Sequence, residues 1–227
     1  MFVPAPYRTP ATSWMVDILR GNPLALMTSN GPATAGPWAT HLPVIQDPTM
    51  TEDWSEDLSG AKLLGHMNRA NPHWKDLGDG AVVLLTFTGP HGYVSPTVYE
   101  KTPAAPTWDF TSVHVHGTLT KIEPEEAGEE SLELVCSTVR AFEGDFGAGW
   151  DMRESIDYFR KILPAVGAFR VDVTGAEGMF KLSQEQDPDV RERVRESFAG
   201  RDSTRHREAS RLMDRLPRPD IGCPHAA

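Results

Sequence analysis

The sequence predicts a mainly β fold of α+β class: a closed or nearly closed antiparallel barrel of about six strands, with helices at its margins. Three observations predict it. Strand-length apolar segments recur between Gly/Pro-rich turn signals. The connections between the early segments are too short for the helical crossovers that parallel strands need. The longest apolar run, Ala81–Thr88 (AVVLLTFT), has the length of a strand rather than of a helix.

The elements follow in order. Phe2–Pro10 is Pro-rich and extended. Thr12 or Ser13 can cap a short helix, Trp14–Arg20, closed by Gly21-Asn22-Pro23. Leu24–Ser29 reads as a strand, Asn30–Pro37 as a turn and Trp38–Ile45 as a second strand. Asp47–Gly60 is acidic and loop-like. Ala61–Met67 is a third strand, and Asn71-Pro72 starts a short helix, Pro72–Leu77, because Asn caps well and Pro suits the first helical position. Ala81–Thr88 is expected to be a central strand covered on both faces. Gly89–Tyr99 (GPHGYVSPTVY) is expected to be a loop. Phe110–Ile122 alternates, putting Ser112, His114 and His116 on one face and Val113 and Val115 on the other. Glu125–Phe142 and Met152–Leu163 read as helices. Gly167–Val173 reads as a strand, and Met179–Ser183 follows a Gly turn. Asp187-Pro188 opens a charged helix through Phe198, and the polar stretch from Arg201 is expected to fray. This gives one domain over residues 1–200 with peripheral helices, and a polar tail over 201–227.

At 227 residues, with 39% hydrophobic and 24% charged content, the chain can bury a sizeable core. A formal net charge of −10 argues against a general nucleic-acid surface. Residues 191–218 carry nine Arg against five acids, a local excess of four positive charges, which reads as a solvated helix of mixed charge. Two cysteines, Cys136 and Cys223, make neither a disulfide framework nor a Cys-rich zinc site, which suits a reducing compartment. With no signal-peptide pattern at the start and no apolar stretch near the ~20 residues that span a bilayer, a cytoplasmic location is expected.

P-loop, GxGxxG, G-x-S-x-G and HExxH patterns are absent, which removes the commonest nucleotide, hydrolase and metalloprotease readings. What remains is a set of His and aromatic residues near predicted strand ends: His41, His66, His73, His91, Tyr93, Tyr99, Trp108, His114 and His116. His66 stands where a strand gives way to a loop and a helix, a place that holds the backbone while the side chain projects. It can be a metal ligand, a base or a packed strand-end histidine. A haem would need an apolar slot, one axial ligand and cations for its propionates. Leu63, Leu64 and Met67 could line the slot, and Arg69 and Lys62 could meet propionates or simply lie at the surface. His114 and His116 share a face at metal-binding spacing, although no carboxylate is fixed beside them. Tyr93 and Ser95 could wall a pocket. Cys223-Pro224 has the form of a thiolate haem-binding pair but sits in a polar tail.

Several segments match a known family. LLGHMNRANPHW, ATHLP, TGPHGYVSPTVY, PTW with the following VHVHG, and GMFKLSQ resemble the PaiB-like proteins over about Phe2 to Phe198. The resemblance implies an FMN-binding split β-barrel that forms homodimers with the cofactor at the subunit interface, in a family whose members are often labelled FMN-binding negative transcriptional regulators. That regulator, or a non-catalytic haem-binding protein, is the alternative to an enzyme. MFVPAPY, GHMNRANPHW, FGAGWDM with the following DYFRKILPAVGAFR, and GMFKLSQEQ are similar to haem-dependent piperazate synthases. Those enzymes use haem b rather than FMN and cyclise L-N5-hydroxyornithine to L-piperazate. The similarity makes His66 the axial iron ligand. It makes Tyr93, His91 and His114 the candidates for distal and base roles. Lys181 and Arg69 become candidates for propionates or the substrate carboxylate, and Lys181 would equally meet an FMN phosphate. A soluble homodimer with a small-molecule substrate and no membrane or nucleic-acid partner is the expectation.

Overall fold

The computed structural model describes residues 1–31, 36–51, 55–122 and 124–216. Parts of the predicted turn Asn30–Pro37 and the acidic loop Asp47–Gly60, and all of Cys223-Pro224, lie outside the described residues. Six strands, β1 (Leu24–Ser29), β2 (Trp38–Gln46), β3 (Lys62–Asn68), β4 (Ala81–Val94), β5 (Thr107–Ile122) and β6 (Val166–Lys181), close into a barrel in the order β1-β2-β3-β6-β5-β4. The described pairings are antiparallel, as the short connections required. The helices are α1 (Thr12–Gly21), α2 (Pro72–Asp76), α3 (Pro124–Asp145), α4 (Ile156–Ile162), α5 (Pro188–Ala199) and α6 (Thr204–Arg215). No helix among the described residues is long and apolar enough to cross a membrane.

The chain forms two compact units. The larger comprises Ala11–Thr88 and Val113–Glu177; the smaller comprises Met1–Pro10, Gly89–Ser112 and the chain from Gly178. Strands β4, β5 and β6 contribute residues to each.

In the larger unit the strands alternate as period-2 geometry demands. Met27, Leu42, Leu85, Val113, Phe169 and Val171 are buried on the inner face. On the outer face Leu64, Ile122, Leu134 and Ala168 pack together, with Leu134 supplied by α3. Leu132 and Cys136 of α3 pack with Leu163 beyond α4. Gly65 faces inward because its partner Phe169 fills that space: a Cβ there would lie 2.6 Å from the Phe169 ring. Helix α2 begins as the sequence predicts, with Pro72 first and the Asn71 side chain accepting from the His73 backbone N–H. His73 is fully buried and its ring is satisfied at both nitrogens, 2.8 Å from Ser29 Oγ and 2.8 Å from Thr40 Oγ1. Trp74 lies under the Lys121 ammonium, 4.5 Å from the ring centre.

Several expectations are corrected. Ala81–Thr88 is not covered on both faces, since Val82 is 71% exposed. Gly89–Tyr99 is not a loop throughout: β4 runs on to Val94, and only Pro96–Val98 forms a short 3-10 turn. Pro90 is tolerated in the strand while its carbonyl accepts from Thr111 Oγ1 at 3.1 Å. β6 is one strand rather than two segments, because it lies between β3 and β5 in the sheet and lateral pairing overrides the turn signal of Thr174-Gly175. The stretch from Arg201 does not simply fray. Thr204–Arg215 is helical, and His206, Ala209, Ser210 and Met213 are buried at helical spacing.

In the smaller unit α6 docks on α5 and β4. His206 meets the Phe198 ring edge-on at 5.4 Å between centres. It approaches the strand so closely that a Cβ on Gly92 would lie 2.6 Å from its ring. The Arg-rich run is used internally. Arg191 donates to the Met213 carbonyl and Arg193 to the Val98 and Tyr99 carbonyls, while Arg195 pairs with Glu192 and Asp214.

A chain ending at Gly200 should therefore be less stable than one ending at Leu216, by a few kcal/mol (roughly one Phe and one Met side chain returned to water). Equal thermal midpoints for the two would show that α6 is not docked.

Candidate cofactor site

His66 lies on the outer face of β3, the face that also carries Leu64, and pairs with Ala168 of β6. Its Nδ1 is buried with no hydrogen-bond partner among the described residues. Burial holds its pKa below the ordinary imidazole value, so the ring is neutral near pH 7. A neutral histidine with an unsatisfied ring nitrogen between apolar neighbours is a suitable axial ligand for iron. In its donor chemistry His66 therefore fits the ligand position that a haem would need.

The neighbouring candidates divide. Lys62 Nζ is 2.7 Å from Asp172 Oδ1, so its charge is already matched on the barrel surface. Arg69 is half-buried just past β3, tied down by its backbone N–H to the Ala165 carbonyl at 2.9 Å. His114 is half-buried, and burial lowers its pKa. On the same face, His116 Nε2 lies 3.9 Å from Glu177 Oε2. Glu177 is nine residues along β6 from Ala168, the partner of His66, or about 30 Å of strand at about 3.3 Å per residue. His114 is thus remote from His66 within one copy of the larger unit. No cluster of three or more His, Cys, Asp or Glu among the described residues could hold a metal ion.

The smaller unit gathers a second set of predicted residues. Trp108 Nε1 donates to His91 Nδ1 at 3.2 Å, which leaves the His91 proton on Nε2. Burial, and the nearby Arg205 charge, lower the His91 pKa. The Tyr93 ring stands 6.1 Å from Trp108, and both remain substantially exposed. Lys181 joins them: its ammonium donates to Thr107 Oγ1 and, at 3.3 Å, to the Trp108 carbonyl, and it lies 6.0 Å over the Tyr7 ring. The structure thus collects His91, Tyr93 and Lys181 around one tryptophan.

The candidate set omitted Asp109. It is fully buried, its Oδ2 accepts from Ser183 Oγ at 2.6 Å, and its Oδ1 has no partner among the described residues. Burial is the main cause that pushes its carboxyl up to about 7, and Glu185 adds to it. The Ser183 hydrogen bond and Lys181 act in the opposite direction. The signal was in the alternation of β5: the parity that buries Val113 and Val115 also buries Thr111 and Asp109.

The site thus stands on a closed antiparallel barrel with marginal helices that carries a buried histidine nitrogen without a partner among the described residues. The chain belongs to the family described as "Putative FMN-binding domain", which matches residues 1–175. It is 26% identical over 178 residues to the protease synthase and sporulation protein PAI 2 of Bacillus subtilis, covering 78% of this chain and 80% of that protein. An uncharacterized protein of Aspergillus fumigatus is 27% identical over 220 residues, 80% of this chain and 84% of its own. Among solved structures, the FAD and haem binding protein of Mycobacterium smegmatis superposes with a TM-score of 0.51 at 15% identity, over 82% of this chain and 78% of that one. That likeness supports the split-barrel fold.

Asp109 holds its proton in the folded chain up to about pH 7, whereas an unfolded Asp releases it near ~3.9. Its contribution to stability is therefore full below about pH 4 and is lost as pH rises through 7. Asp109→Asn removes that loss. The stability of the variant relative to wild type should rise by a few kcal/mol between about pH 5 and 8. A constant difference in urea midpoint across that range would show that Asp109 does not titrate there.

Proposed function

We propose that this protein is a haem-dependent piperazate synthase, which binds haem b through His66 and closes L-N5-hydroxyornithine to L-piperazate. The observation that carries the reading is the neutral His66, whose buried Nδ1 has no partner among the described residues, on the barrel of a putative FMN-binding family. The FGAGWDM segment, on which the similarity to these synthases rests, adds support. It lies in the larger unit with His66 and exposes Phe146 and Trp150. Trp150 is held by its backbone N–H on Glu143 and by its ring against Phe159. Exposed aromatics of this kind mark a surface that another apolar body covers, in this reading a haem face or the second subunit of a homodimer.

Ring closure forms the N–N bond between the α-amine and N5, breaks the N5–O bond and releases the oxygen as water. The amine proton leaves with that oxygen, so no external oxidant or reductant is needed. Bound iron supplies a Lewis acid toward the hydroxylamine. The chain must fold a flexible substrate so that its two nitrogens meet, and must keep the α-amine neutral. Arg69, in the larger unit just past His66, is a candidate cation for a propionate or the substrate carboxylate; Lys181, thirteen residues along β6 from Ala168, would meet such a group at the His66 iron only from a second copy of the chain. Within the smaller unit, with Nδ1 occupied by Trp108, His91 offers a proton at Nε2 and suits proton donation better than the role of base, and Tyr93 stands beside the same tryptophan. His114 would serve the His66 iron only from a second copy of the chain.

One observation favours a second reading, an FMN-binding regulator: the family description itself names FMN. In that case Lys181 would meet the phosphate. The internal use of Arg191, Arg193 and Arg195 counts against a nucleic-acid surface on this helix pair.

Purified protein expressed with a haem precursor should show a Soret band that shifts on addition of dithionite. It should convert N5-hydroxyornithine to a product lighter by one water. His66→Ala should remain folded, lose the Soret band and lose turnover. A flavin spectrum without a Soret band, or unchanged haem in the His66 variant, would overturn the assignment.

A further inference from the structure

Asp109 presents a problem that the fold alone does not solve. It sits on β5 immediately after Thr107 and Trp108, the two residues that hold the Lys181 ammonium. Its own carboxyl holds Ser183, two residues beyond Lys181. Three consecutive residues of β5 therefore hold two residues, Lys181 at the end of β6 and Ser183 just beyond it. The grip is needed because Ser183 has φ 56°, a left-handed conformation that costs a non-glycine residue about 1 kcal/mol or more. The turn that follows is closed locally: Gln184 accepts from the Leu182 N–H at 2.6 Å and donates to the Pro6 carbonyl at 2.9 Å.

We propose that Asp109 is the positioning residue for Lys181, and that its proton sets the charge environment in which the Lys181 ammonium meets an anionic ligand. The Thr107 hydroxyl and Trp108 carbonyl that Lys181 contacts are neutral, so neither offsets its positive charge. When Asp109 ionises, a negative charge appears next to Trp108 and two residues from Thr107, the ammonium's two acceptors, and offsets it. Anion binding at Lys181 should then weaken as pH rises, and by reciprocity a bound anion should hold the Asp109 proton more tightly. The other charged or titratable groups that Asp109 feels or affects are Glu185 beyond the turn, Tyr7 near the N-terminus and Tyr99 after β4. Burial is the main cause that keeps the proton on Asp109, and the Glu185 charge adds to it; burial first, and neighbouring acids second, raise both tyrosines, which are neutral near pH 7. Only the consequence for a haem propionate or substrate carboxylate rests on the proposed function; the coupling of Asp109 to Lys181 does not.

The test uses the full chain without cofactor, labelled with 13C at the Asp carboxyls and at lysine Cε. The Asp109 signal is assigned by its loss in Asp109→Asn, and the Lys181 signal by its loss in Lys181→Arg. The Asp109 carboxyl should titrate with a midpoint near 7. The Lys181 Cε signal should move at the same midpoint, and should show no such step in Asp109→Asn, whose amide oxygen still accepts from Ser183. Ser183→Ala, which removes a hydrogen bond to the carboxylate, should move both midpoints upward together. An Asp109 midpoint below 5, or a Lys181 step that persists in Asp109→Asn or stays fixed in Ser183→Ala, would overturn the proposal. Haem uptake is read separately: a chain that passes the titration but takes up no haem overturns the synthase assignment and leaves this coupling standing.

Discussion

Pairing between β3 and β6 is the constraint on which the rest depends. All seven residues of β3 find partners on β6, so this short strand is fixed in register along its whole length. The pairing joins the first three strands to the last three and removes the open edges that an unclosed sheet would leave. It also decides which way each β3 side chain points. A one-residue slip would turn His66 into the barrel and Gly65 out of it, and the Phe169 ring would then have no space. The glycine before the histidine is thus a packing requirement of the inner face, while the histidine belongs to the outer one.

Much of this architecture was legible because the chain alternates strongly where one face is buried. Leu24–Ser29 agrees with its predicted bounds residue for residue, and Asn71-Pro72 opens α2 as a capping pair should. The failures share a cause. Gly89, Pro90 and Gly175 are turn formers by intrinsic preference, but each lies in a strand whose neighbours outweigh that preference. Helix α6 was missed because its buried stripe is His206, Ala209, Ser210 and Met213 rather than a run of aliphatics. The 3.6-residue period was present; the hydrophobicity that usually advertises it was not. Asp109 was passed over for the complementary reason, since a carboxylate at an inward strand position is read as exposed unless the parity is followed through it.

The charge pattern gains a different meaning in three dimensions. The Arg-rich run near the C-terminus looked like a solvated face of mixed sign. It instead satisfies the carbonyls at the end of α6 and after β4, and its acidic partners lie on both α5 and α6. Exposed pairs of this kind contribute little singly, about 0–1 kcal/mol each. The hydrogen bonds from guanidinium to backbone carbonyls matter more, because a charged donor makes them stronger than neutral pairs.

The case for a cofactor at His66 rests finally on a contrast between two histidines in the same stretch of sequence. His73 is the more deeply buried, yet both its ring nitrogens are paired with hydroxyls from β1 and β2, and nothing about it calls for a ligand. His66 is less buried but carries a nitrogen with no partner, in surroundings that keep the ring uncharged. Depth of burial does not distinguish the two histidines. The accounting of donors and acceptors does, because a buried nitrogen left unpaired costs about 1–3 kcal/mol and His73 leaves none. From sequence the two residues look alike, both near a strand end and both beside an Asn-rich turn. The distinction appears only when Ser29 and Thr40, more than thirty positions away in the chain, are brought against one imidazole and not the other.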